Sequence, residues 1–250
     1  VPFGTYAVTW QGITAEWNLG SNWSSGIIPS FQTNVLIPDS FTTFPVINNL
    51  PENPAGCMNL SVADTASLTV DAGKALTVFG NLSLDTLYSE GTERGSILKS
   101  DCSPSPSGSL ILNGNSSGTV IAERYIAKDN GWHFLSSPVD TQSFQPEFVP
   151  VPIDQSFDLY YWDENSLPSA GWINIRDDMG NWNLQFENAF IPGKGYLISY
   201  SPANAGGVTR KFTGLLNSGN RDIPVAHSEN YWNLLGNPYS CAMDWSSGCI

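Results

Sequence analysis

A ladder of short apolar triplets constrains the fold of this chain more than any other feature. The triplets are Leu60-Ser61-Val62, Leu68-Thr69-Val70, Leu76-Thr77-Val78 and Leu82-Ser83-Leu84, and they begin 8, 8 and 6 residues apart. Each alternates apolar side chains with a hydroxyl, so one face of a short strand is buried and the other is wet. A short strand and a tight turn every six to eight residues indicate a parallel β-helix or a related solenoid. A β-sandwich meander, with longer and more widely spaced strands, is the second choice.

A tryptophan-rich, turn-rich segment precedes the ladder. Trp10, Trp17 and Trp23 stand among Gly, Asn and Ser residues there. Tryptophan buries a large area, and a repeat fold needs a cap over the open end of its core. We therefore predict that this segment is a cap rather than a binding face. Later rungs of the ladder are predicted at Ile97-Leu98, Leu110-Ile111-Leu112 and Thr119-Val120-Ile121.

The pattern changes at about residue 125, where longer aromatic strands replace the short triplets. These strands are predicted at residues 158–163, 171–174, 195–200 and 211–214, with Gly and Pro at their ends. Such strands are typical of an antiparallel sandwich or jelly roll. The chain is therefore predicted to be all-β. A Trp-rich cap and a short parallel β-helix-like solenoid domain occupy residues 1–125, and an antiparallel β-sandwich or jelly-roll-like domain occupies residues 126–250.

One motif of the second half occurs twice, at the same spacing. Trp132-His133-Phe134-Leu135-Ser136-Ser137-Pro138 and Trp232-Asn233-Leu234-Leu235-Gly236-Asn237-Pro238 both place Trp, apolar residues and Pro in register. We call these segments the two copies of the Trp-Pro motif. Each is predicted to be a buried strand that runs into a Pro-terminated turn. The second copy comes so close to Ile250 that we expect the domain to continue beyond this residue.

The composition favours an extracellular β-protein. Hydrophobic residues make up 41% of the chain and charged residues only 13%, well below the usual quarter. A net charge of −13 argues against binding to nucleic acid or to anionic membrane surfaces. No run of about 18 apolar residues occurs, so no membrane insertion is predicted.

The four cysteines leave two alternatives open. Cys57, Cys102, Cys241 and Cys249 allow three pairings if all are bridged. Cys57–Cys102 and Cys241–Cys249 are the simplest disulfides, and reduced, buried thiols are the alternative. None of the four has the spacing of a zinc site.

Three pieces of the chain are informative together. They are the opening TWQGITAEWNLGSNWSSGIIPS, the ladder NLSVADTASLTVDAGKALTVFGNLSL and the runs GKGYLISY, KFTGLLNSG and YWNLLGNPYSCAMDW. Together they resemble the large multidomain secreted and cell-surface proteins of Bacteroidetes-type bacteria, many of which are exported by the type IX system. The resemblance implies a secreted or cell-surface location and further domains in the same polypeptide. Such modules accompany adhesins, proteases and polysaccharide-degrading enzymes alike.

The same resemblance implies a modification. Bacteria of this kind O-glycosylate Asp-Ser/Thr triplets that end in a small or apolar residue. Asp64-Thr65-Ala66 and Asp85-Thr86-Leu87 match this pattern. Thr65 and Thr86 are therefore the expected glycosylation sites, in or beside the turns of the ladder.

Aromatic residues between positions 160 and 182 predict a sugar-binding surface. The candidates are Tyr161, Trp162, Trp172 and Trp182, with Asp and Asn side chains between them. Flat rings stack on sugar faces, while polar neighbours bind the hydroxyls. Tyr161 and Trp162 point to opposite faces of a strand, so only one of them can face solvent. The alternative is that most of these rings fill the core of the sandwich. The expected ligand is a polysaccharide or a cell-surface glycan.

The loop after the Trp172 strand is a candidate calcium site. Asp177, Asp178 and Asn181 surround Gly180, and calcium prefers several flexible oxygen ligands. The spacing departs from that of an EF-hand, and a solvated polar hairpin turn is the alternative. Calcium is the one cofactor that the sequence suggests.

Catalysis is the less favoured interpretation. The chain has no G-x-S-x-G elbow, and its only histidines are His133 and His227. A pair of glycosidase carboxylates is defined by its separation in space, so no catalytic residue is predicted. The preferred hypothesis is a non-catalytic surface module for glycan binding or adhesion. A structural spacer or assembly subunit is the first alternative, and a polysaccharide-degrading enzyme is the second.

Overall fold

The predicted β-helix is the central feature of the fold. The computed structural model of the chain describes residues 7–48, 54–85, 95–101, 107–127, 131–166, 171–201, 207–228 and 232–244. It is all-β and contains a β-solenoid of about four turns. The predicted all-β class and the β-helix are therefore confirmed.

Twelve strands make up the solenoid. They are β1 (Ala7–Thr9), β2 (Asn34–Ile37), β3 (Val46–Ile47), β4 (Ala55–Cys57), β5 (Leu60–Val62), β6 (Ser67–Val70), β7 (Ala75–Val78), β8 (Leu82–Leu84), β9 (Gly95–Leu98), β10 (Ser109–Leu112), β11 (Ser116–Ser117) and β12 (Val120–Ile126). They stack in parallel as three sheets, in the orders β1-β2-β5-β8-β11, β3-β6-β9-β12 and β4-β7-β10. One short 3-10 helix, Gly20–Asn22, lies between β1 and β2.

The first three triplets of the ladder are the three sides of one turn, and the fourth begins the next turn beside the first. Leu60 of β5 pairs with Leu82 of β8, so this turn of the solenoid takes 22 residues. The strands β6 and β7 between them form the other two sides. Alternate residues point inward, and Leu60, Leu76 and Val78 are fully buried. Each such burial stabilises the fold by about 1.5–3 kcal/mol.

An asparagine ladder runs along the corner of the solenoid before the first sheet. Asn59 Nδ2 donates to Asn34 Oδ1 at 2.8 Å. The backbone N–H groups of Asn81 and Asn115 donate to the Oδ1 atoms of Asn59 and Asn81, at 2.7 and 2.9 Å. A side chain at Gly80 would bring its Cβ to 2.3 Å from Asn59 Oδ1. The close stacking of turns at this corner therefore requires glycine at this position.

The N-terminal tryptophans lie inside the core, as a cap requires. Trp10, Trp17 and Trp23 are 0–2% exposed, and we call them the inner tryptophan cluster. Their segment also supplies hydrogen-bond partners to the first turn of the solenoid. Val46 N donates to Ala15 O at 2.8 Å, and β1 pairs with the edge of β2. Two of the three sheets thus continue into this segment.

The described residues of the second half contain seven strands, and these are antiparallel where they pair with one another. They are β13 (His133–Leu135), β14 (Gln142–Ser143), β15 (Phe157–Asp163), β16 (Gly171–Asn174), β17 (Ala189–Phe190), β18 (Tyr196–Tyr200) and β19 (Val208–Gly214). One sheet has the order β13-β18-β15-β16, and a second consists of β14 and β17. The sandwich or jelly-roll arrangement of these strands stays a prediction.

Strand β12 joins the two halves. It pairs in parallel with β9 on one edge and in antiparallel with β19 on the other. The predicted domain boundary between residues 125 and 126 falls within this strand. Two further hydrogen bonds connect the two halves. Ser116 Oγ donates to Leu216 O, and Ser240 Oγ donates to Leu110 O, both at 2.7 Å. The buried apolar residues of both halves form one continuous core.

The two copies of the Trp-Pro motif lie side by side, but they are not buried strands. In the first copy Trp132 and Phe134 are 49% and 70% exposed. The second copy makes a single β-bridge, between Leu235 and Lys194. The first copy does form a strand, β13, but the prediction that both copies are buried strands is wrong. Only β18 pairs with β13, and alternate side chains of this edge strand reach solvent.

Two of the four cysteines fall in the described residues. Cys57 is buried in β4, and neither Cys57 nor Cys241 forms a disulfide with another described residue. Burial raises the pKa of the Cys57 thiol to about 12. Cys102 and Cys249 lie outside the described residues, so both disulfides stay predictions. No helix in the described part of the chain has the length and hydrophobicity needed to cross a membrane.

Candidate functional site

The side chains of β15 alternate between a buried face and a partly exposed face of the sheet. Phe157, Leu159 and Tyr161 point inward and are at most 7% exposed. Tyr160 and Trp162 point to the opposite face and are half-buried. This alternation follows from the period of two in a β-strand. The outer face of the four-stranded sheet is therefore where a ligand can reach aromatic rings.

Three tryptophans meet on this outer face, and we call them the outer tryptophan cluster. Trp162 and Trp172 are cross-strand neighbours on β15 and β16, with ring centroids 5.6 Å apart. Trp232 lies 4.7 Å from Trp162 and 5.9 Å from Trp172. All three contacts are edge-to-face. Trp172 remains 41% exposed and Trp232 44% exposed.

Backbone pairing holds Trp232 against the sheet. Gly195 N donates to Leu234 O at 3.0 Å, and Gly236 N donates to Gly193 O at 2.9 Å. A Cβ at Gly195 would lie 2.6 Å from Leu234 Cγ, so glycine permits this close approach. The segment that carries Trp232 thus pairs in antiparallel with residues 193–195, immediately before β18.

Polar groups surround the outer tryptophan cluster. Trp162 Nε1 donates to Glu164 Oε2 at 3.2 Å, and the carboxylate of Glu164 is buried. Asn174 Nδ2 donates to the Tyr160 hydroxyl at 2.8 Å. Asn165 lies exposed at the end of β15. The arrangement combines apolar ring surface with amide and carboxylate groups at its rim, which suits a ligand with both apolar and hydroxyl surfaces.

Two predicted ligand-binding residues do not join this cluster: Tyr161 is buried, which corrects its prediction, and Trp182 lies apart from the three tryptophans. Tyr161 is 7% exposed, its hydroxyl donates to Gln185 O at 3.1 Å, and burial raises its pKa to about 12. Trp182 packs against the core, with Nε1 donating to Phe186 O at 3.3 Å. The prediction also missed Trp232. The repeated Trp-Pro motif contained it, but its repetition indicated only a structural role.

The candidate calcium loop is a tight polar turn. Asp177 Oδ1 accepts the backbone N–H groups of Met179 and Asn181, at 2.9 and 2.8 Å. Gly180 between them has φ of 83°, a value that favours glycine. Within the described ranges, no three His, Cys, Asp or Glu side chains are grouped to hold a metal ion. Calcium binding by Asp177, Asp178 and Asn181 stays a prediction.

One of the two expected glycosylation sites, Thr65, lies in the described part of the chain. Asp64 and Thr65 are exposed in the turn between β5 and β6, next to the buried Ala66. A glycan on Thr65 would project away from the solenoid. Thr86 lies outside the described residues.

Comparison with known proteins assigns the chain to a family. A family model described as a domain of unknown function, DUF8693, matches residues 9–247. The chain belongs to the DUF8693 family. The DUF8693 domain includes both the solenoid and the antiparallel sheets, which agrees with their common core. No curated protein and no solved structure matches the chain.

Proposed function

We propose that this DUF8693 domain is a non-catalytic, extracellular surface module that binds glycans through its outer tryptophan cluster. The observation that carries the proposal is the exposure of Trp172 and Trp232, at 41% and 44%, beside the half-buried Trp162. Large exposed apolar surfaces are uncommon on soluble proteins unless a partner covers them.

The geometry of the rings favours binding. Each edge-to-face contact contributes about 0.5–1.5 kcal/mol beyond area burial, so the three indoles hold one another in place. A surface that is already ordered loses little conformational entropy when a ligand binds. The apolar faces of sugar rings stack on such indoles, and the polar groups near them accept and donate the hydroxyl hydrogen bonds.

Other parts of the proposal follow from the sequence. Few charged residues and the exposed Thr65 support a secreted or cell-surface location. The four-stranded and two-stranded antiparallel sheets support a sandwich-like second domain. We include other domains of the same polypeptide among the partners.

Affinity electrophoresis in gels that contain neutral polysaccharides tests the proposal. Trp172→Ala should reduce retention about tenfold, which corresponds to about 1.4 kcal/mol of binding free energy. Phe31→Ala is the matched control, because Phe31 is an exposed aromatic residue of the solenoid, 59% exposed. Unchanged retention of Trp172→Ala and Trp232→Ala on every polysaccharide that retains the wild-type domain would contradict the proposal.

A structural spacer is the second candidate, and the continuous core favours it. The solenoid is covered at one end by the inner tryptophan cluster and joined at the other to β19. A spacer predicts that the folded wild-type domain is retained by no polysaccharide. The same gels therefore separate the two functions.

A further inference from the structure

A cleft of about 390 Å³ opens between the two copies of the Trp-Pro motif. The first copy contributes residues 134–136 and the second contributes residues 234–237. Its volume lies in the range of small-molecule sites. Among the described residues that line this cleft, Arg124 is the one with a charge.

Arg124 lies in an unusual electrostatic position. It pairs directly with Arg210 across β12 and β19, so the two side chains leave the same face of the sheet. Like charges at such positions destabilise a sheet. No carboxylate among the described residues forms an ion pair with either arginine, although the chain has 23 acidic and 10 basic residues.

Arg124, and not Arg210, is directed to the cleft. Arg210 Nε donates to the Tyr200 hydroxyl at 3.1 Å, and its guanidinium lies 4.8 Å from the centroid of that ring. With the described residues Arg124 makes one hydrogen bond, from Nη1 to Glu123 O at 3.1 Å. A guanidinium has five N–H donors, so most of its capacity is unused. Burial lowers the pKa of Arg124, although its side chain is only half-buried.

The other polar side chains of the cleft are engaged within the protein. Ser136 Oγ donates to Asn237 O at 2.7 Å, and Asn237 Nδ2 donates to Cys241 O at 2.6 Å. The Tyr239 hydroxyl donates to Gly219 O at 2.6 Å. Arg124 therefore has more unused donors than the other described side chains of the cleft. A planar guanidinium with free donors matches a carboxylate, which accepts two parallel hydrogen bonds.

We propose that this cleft binds the carboxylate of an acidic sugar, a hexuronate, with Arg124 as its ligand. The inference rests on the proposed function, because it takes the ligand to be a glycan. Trp232 and Leu235 are three residues apart, so the cleft begins at most about 10 Å from the outer tryptophan cluster. Phe134 and Leu235, 70% and 40% exposed, offer apolar contacts to the sugar ring.

Calorimetric titration with trigalacturonate and with its fully methyl-esterified form tests this site. Esterification removes the charge and keeps the sugar chain. The wild-type domain should bind the free acid about tenfold more tightly than the ester, as expected for one charge-assisted bidentate pair. Arg124→Gln should abolish this preference by weakening binding of the free acid about tenfold. Arg124→Lys, which keeps the charge but not the planar fork, should retain only part of the preference.

Arg221→Gln is the matched control, because Arg221 is exposed and does not line the cleft. It removes the same charge and should preserve the tenfold preference. An equal affinity of the wild-type domain for acid and ester overturns the site, and binding of the ester that depends on Trp172 would then leave the proposed function standing. Acetate that binds as tightly as trigalacturonate overturns the assignment to a sugar. If Arg124→Gln fails to fold, Arg124→Lys tests the site instead. A full tenfold preference in Arg124→Lys would overturn the role of the planar guanidinium.

Discussion

The inner and outer tryptophan clusters contain the same contacts in different surroundings. Ring centroids in the inner cluster are 4.8 and 4.9 Å apart, and those in the outer cluster are 4.7 to 5.9 Å apart. All of these contacts are edge-to-face. The inner rings are at most 2% exposed, whereas Trp172 and Trp232 are more than 40% exposed. Ring geometry alone therefore does not distinguish a core from a binding surface. What distinguishes them is whether other residues of the chain bury the rings.

The position of each cluster in the fold explains why one is buried and the other is exposed. The inner cluster belongs to the segment that pairs with the first turn of the solenoid, and Trp23 Nε1 donates to Trp17 O at 2.8 Å. The outer cluster stands on the face of a sheet, and its polar contact is with Glu164 at the end of the same strand. The inner rings stabilise the fold, and the outer rings remain available to a ligand.

The largest expected effect comes from the inner cluster. Trp23→Ala should lower the free energy of unfolding by about 3–5 kcal/mol, because it leaves a cavity in a packed core. Denaturant unfolding followed by circular dichroism measures this loss. A loss below about 1 kcal/mol would show that the cap contributes little, and the contrast between the clusters would disappear.

The asparagine ladder sharpens the contrast, since it orders the turns of the solenoid next to the cap. Asn59→Ala removes the bonds that Asn59 makes to Asn34 and to Asn81. We expect a loss of about 1–3 kcal/mol, because polar groups at the corner lose their partners. The same unfolding experiment measures it, with Asn220→Ala, at an exposed position, as the control. Equal stabilities of the two variants would rule out a contribution from the ladder.

Tyr161 tests which face of β15 is buried. Tyr161→Phe removes the hydrogen bond to Gln185 O and should cost about 1 kcal/mol at pH 8. Burial raises the pKa of Tyr161 from 10.0 to about 12. The unfolded chain therefore releases this proton above pH 10 while the folded chain keeps it, so the stability that neutral Tyr161 provides is complete below pH 10 and is lost as the pH rises to 12.

The variant should consequently lose less stability than the wild type between pH 10 and 12. Urea unfolding at intervals across this range gives the two slopes. Parallel slopes would mean that the Tyr161 hydroxyl is solvated in the folded state, and that the inner face of β15 is open to water.

The smallest effect on stability is expected in the outer cluster. Trp172→Ala should lower the free energy of unfolding by about 1 kcal/mol or less, because the ring is 41% exposed and its cavity opens to solvent. Its effect should appear in glycan retention. A loss as large as that of Trp23→Ala would place Trp172 in the core and remove the basis for a binding surface.

The solenoid was predictable because its signal is local. Alternation within each triplet indicates which side chains point inward, and hydroxyls at the positions of Ser61, Thr69 and Thr77 mark the outer face. The turn length was also present in the sequence. Asn59-Leu60-Ser61 returns as Asn81-Leu82-Ser83, 22 residues later, and this distance is one full turn of the solenoid.

The candidate site was only partly predictable, because its signal is not local. Alternation places Tyr161 and Trp162 on opposite faces, but it does not indicate which face the rest of the chain covers. The exposure of Trp232 depends on the pairing of residues 234–236 with residues 193–195, about 40 positions earlier. The pairing of Arg124 with Arg210 likewise arises from strands far apart in the sequence.

During synthesis, β12 emerges well before β19, the strand with which it pairs. Each turn of the solenoid can close soon after its own residues emerge, whereas β12 pairs Val120 with Gly214 and Ile126 with Val208. At about 5–20 residues per second, β12 waits roughly 4–20 s for its partner. During this interval its outer edge is an open template for another chain. We therefore expect a chain that is cut before β19 to aggregate, even though every turn of its solenoid is complete.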